Sequence, residues 1–181
     1  MRVRRRLSLL IGFALTSAVL ASAGCGGGPS PGPASAGGAG GAGEQPVPVV
    51  RVVDGDTIIV RLAGKNERVR LIGIDTPESV KPNTPVQCFA PEASARTKAL
   101  LPAGSSVRLV RDVDLRDRYG RLLAYVYRAS DNLFVNLALA VDGYASAYTY
   151  PPNVAHAGEF VAAAGQARDA GRGLWSHCHS P

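Results

Sequence analysis

Three short clusters combine carboxylates with guanidiniums at spacings suited to work on a phosphate. They are Asp54-Gly55-Asp56-Thr57, Arg70-Leu71-Ile72-Gly73-Ile74-Asp75-Thr76-Pro77-Glu78 and Asp117-Arg118-Tyr119-Gly120-Arg121. Taken singly, each has an ordinary structural reading. The first is a hairpin turn with aspartate side chains bonding the backbone. The second is an arginine at a barrel rim, with an aspartate capping a turn before a proline. The third is a solvated charged loop. Taken together they supply what phosphodiester hydrolysis requires. Two guanidiniums can clamp the equatorial oxygens as their negative charge grows. Aspartate oxygens can hold a hard cation against the phosphate. A further carboxylate can orient or deprotonate water. Arginine beside tyrosine in the third cluster also makes a basic-aromatic surface for phosphate and base.

These residues need elements to position them. Val47 to Val53 is β-branched and predicts a strand, and Asp54-Gly55 predicts a tight turn. Thr57 to Leu62 predicts a second strand, Ala63 to Asn66 a turn, and Glu67 to Ile74 a third strand, so the three form a meander. Alternation along that third strand would put Arg70 on one face with Ile72 and Ile74. A charge there needs a partner or a ligand. Asp75 to Ala90 carries Pro77, Pro82 and Pro85 and predicts a long loop. Pro91 opens a helix to about Leu101, because its missing N–H does no harm in a first turn. Ser106 to Asp112 and Arg121 to Arg128 predict two more strands. Asn132 to Val141 predicts a buried helix ended by Gly143, Tyr144 to Tyr150 an extended segment, and Ala155 to Ala170 a last helix. Trp175 is expected as a core anchor. The expected fold is α+β and β-rich: a five-stranded OB-type barrel with about three packed helices. A fold alone names no chemistry.

The motifs VVDGDT, RLIGIDTPE, APEASARTKAL, DRYGRLLAYVY, AYTYPPN and GLW, in that order, resemble the staphylococcal nuclease family over about Val50 to Trp175. The resemblance implies a calcium-dependent nuclease acting on DNA and RNA, with products ending in 3′ phosphates. It implies Asp56 and Asp75 as calcium ligands, with a backbone carbonyl from Thr76. Arg70 and Arg121 would bind and polarise the scissile phosphate, and Glu78 would be the general base. Arg118, Tyr119 and Tyr148 match positions lining the nucleotide site, Arg118 standing where the family has Lys. The alternative is a non-catalytic OB-type nucleic-acid-binding module. Such a module should lack the glutamate or one arginine, and Arg70, Glu78 and Arg121 are all present. There are departures. Ser79 to Gln87 holds one basic residue, Lys81, where the family's best-known member has several. Tyr150-Pro151-Pro152 replaces a Lys-Pro step. Cys88 and Cys178 are additions.

The 181 residues allow one domain plus non-globular sequence. Arg2 to Arg6, an apolar run from Leu7 to Leu20, and small residues to Gly24 read as an export signal, 1–24, too short to span a bilayer comfortably. Cys25 follows as the lipidation site of a lipoprotein; ordinary signal cleavage after Ala21-Ser22-Ala23 is the other outcome. Residues 25–46 are Gly, Pro, Ala and Ser with one charge and predict a flexible tether. The nuclease-like domain is expected at 47–181. Removing the leader's four arginines lowers the formal charge from +6 to +2, so attraction for nucleic acid must be local. With Cys25 lipidated, Cys88 and Cys178 are left as a disulfide in an oxidising compartment. The expected protein is a monomer held outside the cytoplasm by a lipid anchor in the cell membrane, or secreted if the chain is cleaved without lipidation. His156 reads as a surface or capping residue. His177-Cys178-His179 is too weak a pattern for a soft metal, and Asp112, Asp114 and Asp117 lack the central Gly and closing Glu of an EF-hand.

Overall fold

A computed structural model describes residues 45–79 and 85–178. The expected leader, Cys25 and nearly all of the tether lie outside the described residues. Strands β1 (Val47–Asp54), β2 (Thr57–Leu62) and β3 (Lys65–Leu71) form the meander, and β5 (Ser106–Val110) and β6 (Leu122–Arg128) complete a closed barrel in the order β1-β2-β3-β6-β5. All pairings are antiparallel except β3 with β6. The β2–β3 hairpin turns on two residues, Ala63 and Gly64, both at positive φ, the geometry that follows the strand twist. Val49, Ile58, Val60, Val69, Leu71, Val107 and Val126 fill the barrel with almost no exposure.

The expected third strand, Glu67 to Ile74, is two strands. β3 ends at Leu71, and β4 (Gly73–Asp75) leaves the barrel to pair with β7 (Ser146–Tyr148). Gly73 makes the break, with φ 83°, and a Cβ there would lie 2.1 Å from the Phe160 ring. The alternation that would place Arg70, Ile72 and Ile74 on one face therefore stops at Ile72. Asn136, fully buried, satisfies the backbone around the break. Its Nδ2 donates to Ile72 O at 2.9 Å and Ala124 O at 3.3 Å, and its Oδ1 accepts from Val126 N at 2.9 Å.

Among the described residues four helices accompany the barrel: α1 (Ala90–Leu100), α2 (Val135–Val141), α3 (Ala157–Asp169) and the short α4 (Leu174–His177). Pro91 sits in the first turn of α1 as expected. The buried face of α1 is mostly small, Ala90, Ala93, Ser94 and Thr97, which lets it approach β1 closely. α2 starts three residues later than expected, because Asn132 takes a left-handed φ of 57° and Phe134 is extended. Trp175 is no core anchor: α4 buries no residue, and the indole lies half-buried under the Arg168 guanidinium at 4.5 Å. His156 precedes α3 without a capping hydrogen bond. It pairs with Glu159 at 2.8 Å and packs edge-on against Tyr125. No described helix is long and apolar enough to cross a membrane.

Candidate active site

The turn between β1 and β2 is built from both sides. Thr97 of α1, fully buried, donates its hydroxyl to Gly55 O. A Cβ on Gly55 would lie 2.6 Å from Thr76 Oγ1, so only glycine lets the turn lie against Thr76. Asp54 and Asp56 are both buried there. Asp56 Oδ1 accepts from Thr57 Oγ1 at 3.0 Å, and its Oδ2 accepts from Thr76 N at 3.1 Å. Asp54 accepts from Gly55 N at 2.9 Å, from Ser79 Oγ at 2.6 Å and from Ser79 N at 3.3 Å.

Arg70 ends the rim of β3 and meets these carboxylates. Its Nη2 lies 3.1 Å from Asp56 Oδ2 and 2.8 Å from Asp75 Oδ1. Its Nη1 donates to Leu71 O and, at 3.0 Å, to Ile74 O. That reach to Ile74 exists because the chain curls at Gly73 rather than running on straight. Burial pushes the Asp75 carboxyl up from its ordinary value. The Arg70 charge opposes the rise, and the Asp56 and Asp54 charges add to it.

Arg121 is fixed by its own loop. Its Nε donates to Asp117 Oδ2 at 2.6 Å, while Asp117 Oδ1 accepts the backbone N–H groups of Tyr119 and Arg121, each at 2.9 Å. Burial pulls the Asp117 carboxyl up, but the Arg121 and backbone donors outweigh it and leave it below the usual range. Arg118 donates to the Tyr119 hydroxyl at 2.6 Å, and both arginines lie over the Tyr119 ring. Tyr148 and Tyr150 stack with ring planes 9° apart. Glu78 donates its N–H to Gln87 Oε1 at 2.7 Å and accepts from Gln87 N–H at 3.0 Å.

Arg70, Asp56, Asp75, Thr76, Glu78, Arg118, Tyr119, Arg121 and Tyr148, the expected site, all line one open cleft of about 850 Å³. Cys25 lies outside the described residues. Cys88 and Cys178 lie away from the cleft lining, with sulfurs 2.11 Å apart in a disulfide. Among the lining residues that were not expected are Gln87, Arg116, Tyr150 and Asn153. Tyr150 could have been found from its i+2 spacing to Tyr148. Gln87 and Asn153 had no local signal, because their roles depend on partners distant in sequence. Asn153 exchanges two bonds with the Asp114 backbone, at 2.7 and 3.0 Å.

The cleft suits a hard cation. Its lining contains neither His nor Cys, so its donors are oxygens. Asp56 and Asp75 outnumber the one guanidinium between them, and Thr76 Oγ1 is buried with no hydrogen-bond partner among the described residues. Among the described residues no three His, Cys, Asp or Glu side chains group closely enough to hold a metal unaided, so carbonyl or water oxygens would complete the shell.

Carboxylates and arginines gathered at the rim of an OB-type barrel define a protein built to act on phosphate esters. Residues 68–177 match the family model described as staphylococcal nuclease homologue. The chain is 46% identical over 134 residues to the thermonuclease of Staphylococcus hyicus, covering 74% of this chain and 78% of that one. It is 55% identical over 105 residues to the thermonuclease of Staphylococcus intermedius, covering 58% and 61%. It is 40% identical over 131 residues to the endonuclease YncB of Bacillus subtilis, covering 72% and 61%. The chain belongs to the staphylococcal nuclease homologue family and is a nuclease, a hydrolase acting on nucleic acid.

Proposed function

We propose that this nuclease is calcium-dependent and cleaves both DNA and RNA in the cleft, leaving 3′-phosphate ends. The observation that carries this reading is the meeting of Arg70, Arg121, Glu78, Asp56 and Asp75 in one cleft from three separate stretches of chain. Asp56, Asp75 and the Thr76 carbonyl would hold the calcium, which when bound adds positive charge beside the phosphate. Arg70 and Arg121 bind the non-bridging oxygens. Their carbonyl and carboxylate partners hold both guanidiniums in place before substrate arrives, so little reorganisation accompanies the reaction. Glu78 takes a proton from water as the water oxygen bonds to phosphorus. The bond from phosphorus to the 5′ oxygen breaks, that oxygen takes a proton from solvent and leaves as an alcohol, and the phosphate stays on the 3′ side. Tyr119, Tyr148 and Arg118, all at the mouth of the cleft, receive the neighbouring base and phosphate.

Purified protein incubated with single-stranded DNA and calcium should release fragments that become substrates for end-labelling at the 3′ hydroxyl only after phosphatase treatment. A calcium chelator should stop cleavage. Full activity in the chelator would remove calcium from the mechanism, and 3′-hydroxyl products would reverse the assigned leaving group.

A further inference from the structure

Gln87 holds the Glu78 backbone on one side. It accepts the Glu78 N–H through the side chain, at 2.7 Å, and donates its own N–H to the Glu78 carbonyl, at 3.0 Å. On the other side, Ser79 is held by the buried Asp54. The two grips differ. The Asp54 grip belongs to the packed β1–β2 turn, while the Gln87 pair lies in an exposed segment. Exposed hydrogen bonds compete with water and hold weakly by themselves.

The residue after Gln87 supplies the missing restraint. Cys88 is bonded to Cys178, with Cα atoms 5.8 Å apart. Cys178 N–H donates to Leu174 O at 2.8 Å, and Leu174 N–H donates to Gly143 O at 2.9 Å. Gly173 and Gly143 approach so closely that a Cβ on Gly173 would lie 2.3 Å from Gly143 O. The C-terminal turn is thereby seated on the end of α2. Phe89, at a φ of 67° that aromatic residues rarely adopt, places its ring against Tyr144 at 5.3 Å and His177 at 5.2 Å. A restrained neighbour keeps Gln87 at high local concentration beside Glu78.

We propose that Gln87 is a positioning residue for Glu78, and that the Cys88–Cys178 disulfide keeps it engaged, so that turnover depends on the oxidised bridge. The proposal rests on Glu78 being the general base. The test uses the full chain with single-stranded DNA and saturating calcium. It compares oxidised wild type, wild type reduced with a phosphine, Cys88→Ser/Cys178→Ser, Gln87→Ala, Gln87→Glu, and Gln87→Ala in the doubly substituted background. Reduction, loss of the bridge and Gln87→Ala should each lower kcat roughly tenfold or more, because a misplaced base loses its near-attack geometry, with KM changed less than about twofold. Gln87→Glu keeps an oxygen that accepts the Glu78 N–H, so it should restore Glu78 amide protection relative to Gln87→Ala, while its added negative charge in the cleft keeps kcat below wild type. Gln87→Ala should add little once the bridge is gone, since both act on one contact. Hydrogen exchange at the Glu78 amide should quicken in every impaired form. If Gln87→Ala, with the bridge intact, leaves both kcat and Glu78 amide protection unchanged, the proposal is overturned even where bridge-less protein fails to fold. Glu78→Gln runs alongside: full kcat in that variant sinks the base assignment itself, while the amide exchange still reports whether Gln87 and the bridge hold Glu78.

Discussion

The Arg70 guanidinium divides its donors between two main-chain carbonyls and two carboxylates, with its side chain only 12% exposed. A cation that far from water needs such partners, and the same partners aim it at the cleft. Arg121 is handled differently, by one aspartate that also ties down its loop. In the proposed mechanism the task of Glu78 is a different one, to take a proton. Glu78→Gln preserves shape and removes the base, so kcat should fall about a hundredfold or more. Nucleotide affinity should hold or rise, since one negative charge near the phosphodiester has gone. Turnover and binding measured at fixed salt and saturating calcium check this, and kcat within a factor of two of wild type would show the role to be misassigned.

The break between β3 and β4 decides where two site residues lie. Without it Asp75 would continue along the barrel wall, and β4 would not pair with β7, where Asp75 stands opposite Ser146 and Gly73 opposite Tyr148. Gly73 permits the break by its positive φ and by leaving room for Phe160, while Asn136 satisfies the groups that the departing strand leaves behind. Gly73→Ala meets both a left-handed φ and an aromatic ring. It should destabilise the domain by about 2–4 kcal/mol, in the range of severe backbone or overpacking changes. Urea unfolding followed by tryptophan fluorescence and by circular dichroism gives the value. A change below about 0.5 kcal/mol, the scale of an ordinary surface substitution, would mean that the break does not depend on this glycine.

Across the whole molecule, acid should loosen the fold at a point just outside the cleft lining. Asp112 accepts the Tyr125 hydroxyl at 2.8 Å and the Ala155 N–H at 3.0 Å, tying the barrel to the start of α3. Burial pulls the Asp112 carboxyl up, but its backbone and tyrosine donors outweigh this and leave it below the ordinary value. Burial and the nearby Asp112 together push the Tyr125 hydroxyl upward. A carboxyl depressed in the folded state stabilises fully above its unfolded value, about 3.9, and that contribution fades as pH falls through the folded value. The melting temperature should therefore drop below about pH 4, with a shallower slope in Asp112→Asn; equal slopes would show that Asp112 does not contribute. At the other end of the chain, Gly24-Cys25 after an apolar run motivates a lipid anchor, and the Cys88–Cys178 bridge suits an oxidising compartment. Mass spectrometry of exported protein should find a lipidated Cys25 at the mature N-terminus. An unmodified chain beginning at Gly24 would rule the anchor out.

The sequence by itself determined the barrel and the charged clusters of the cleft, because both are written in local signals. Strand alternation, the Asp54-Gly55 turn and Pro91 are short-range choices, and the DGDT, DTPE and DRYGR clusters keep their spacing wherever the chain goes. Only the tertiary structure decided how those clusters meet. The single strand expected over Glu67 to Ile74 became two because Phe160, far along the chain, occupies the space beside Gly73. Trp175 reads as core from its type alone, yet α4 is a short turn that buries no residue, and the indole lies under Arg168. Gln87 carries no motif: its contact with Glu78 joins two stretches of an irregular loop, and its neighbour Cys88 is bonded to Cys178, ninety positions beyond. Periodicity and turn chemistry act over a few residues, whereas shared space and long-range partners exist only once the chain has closed on itself.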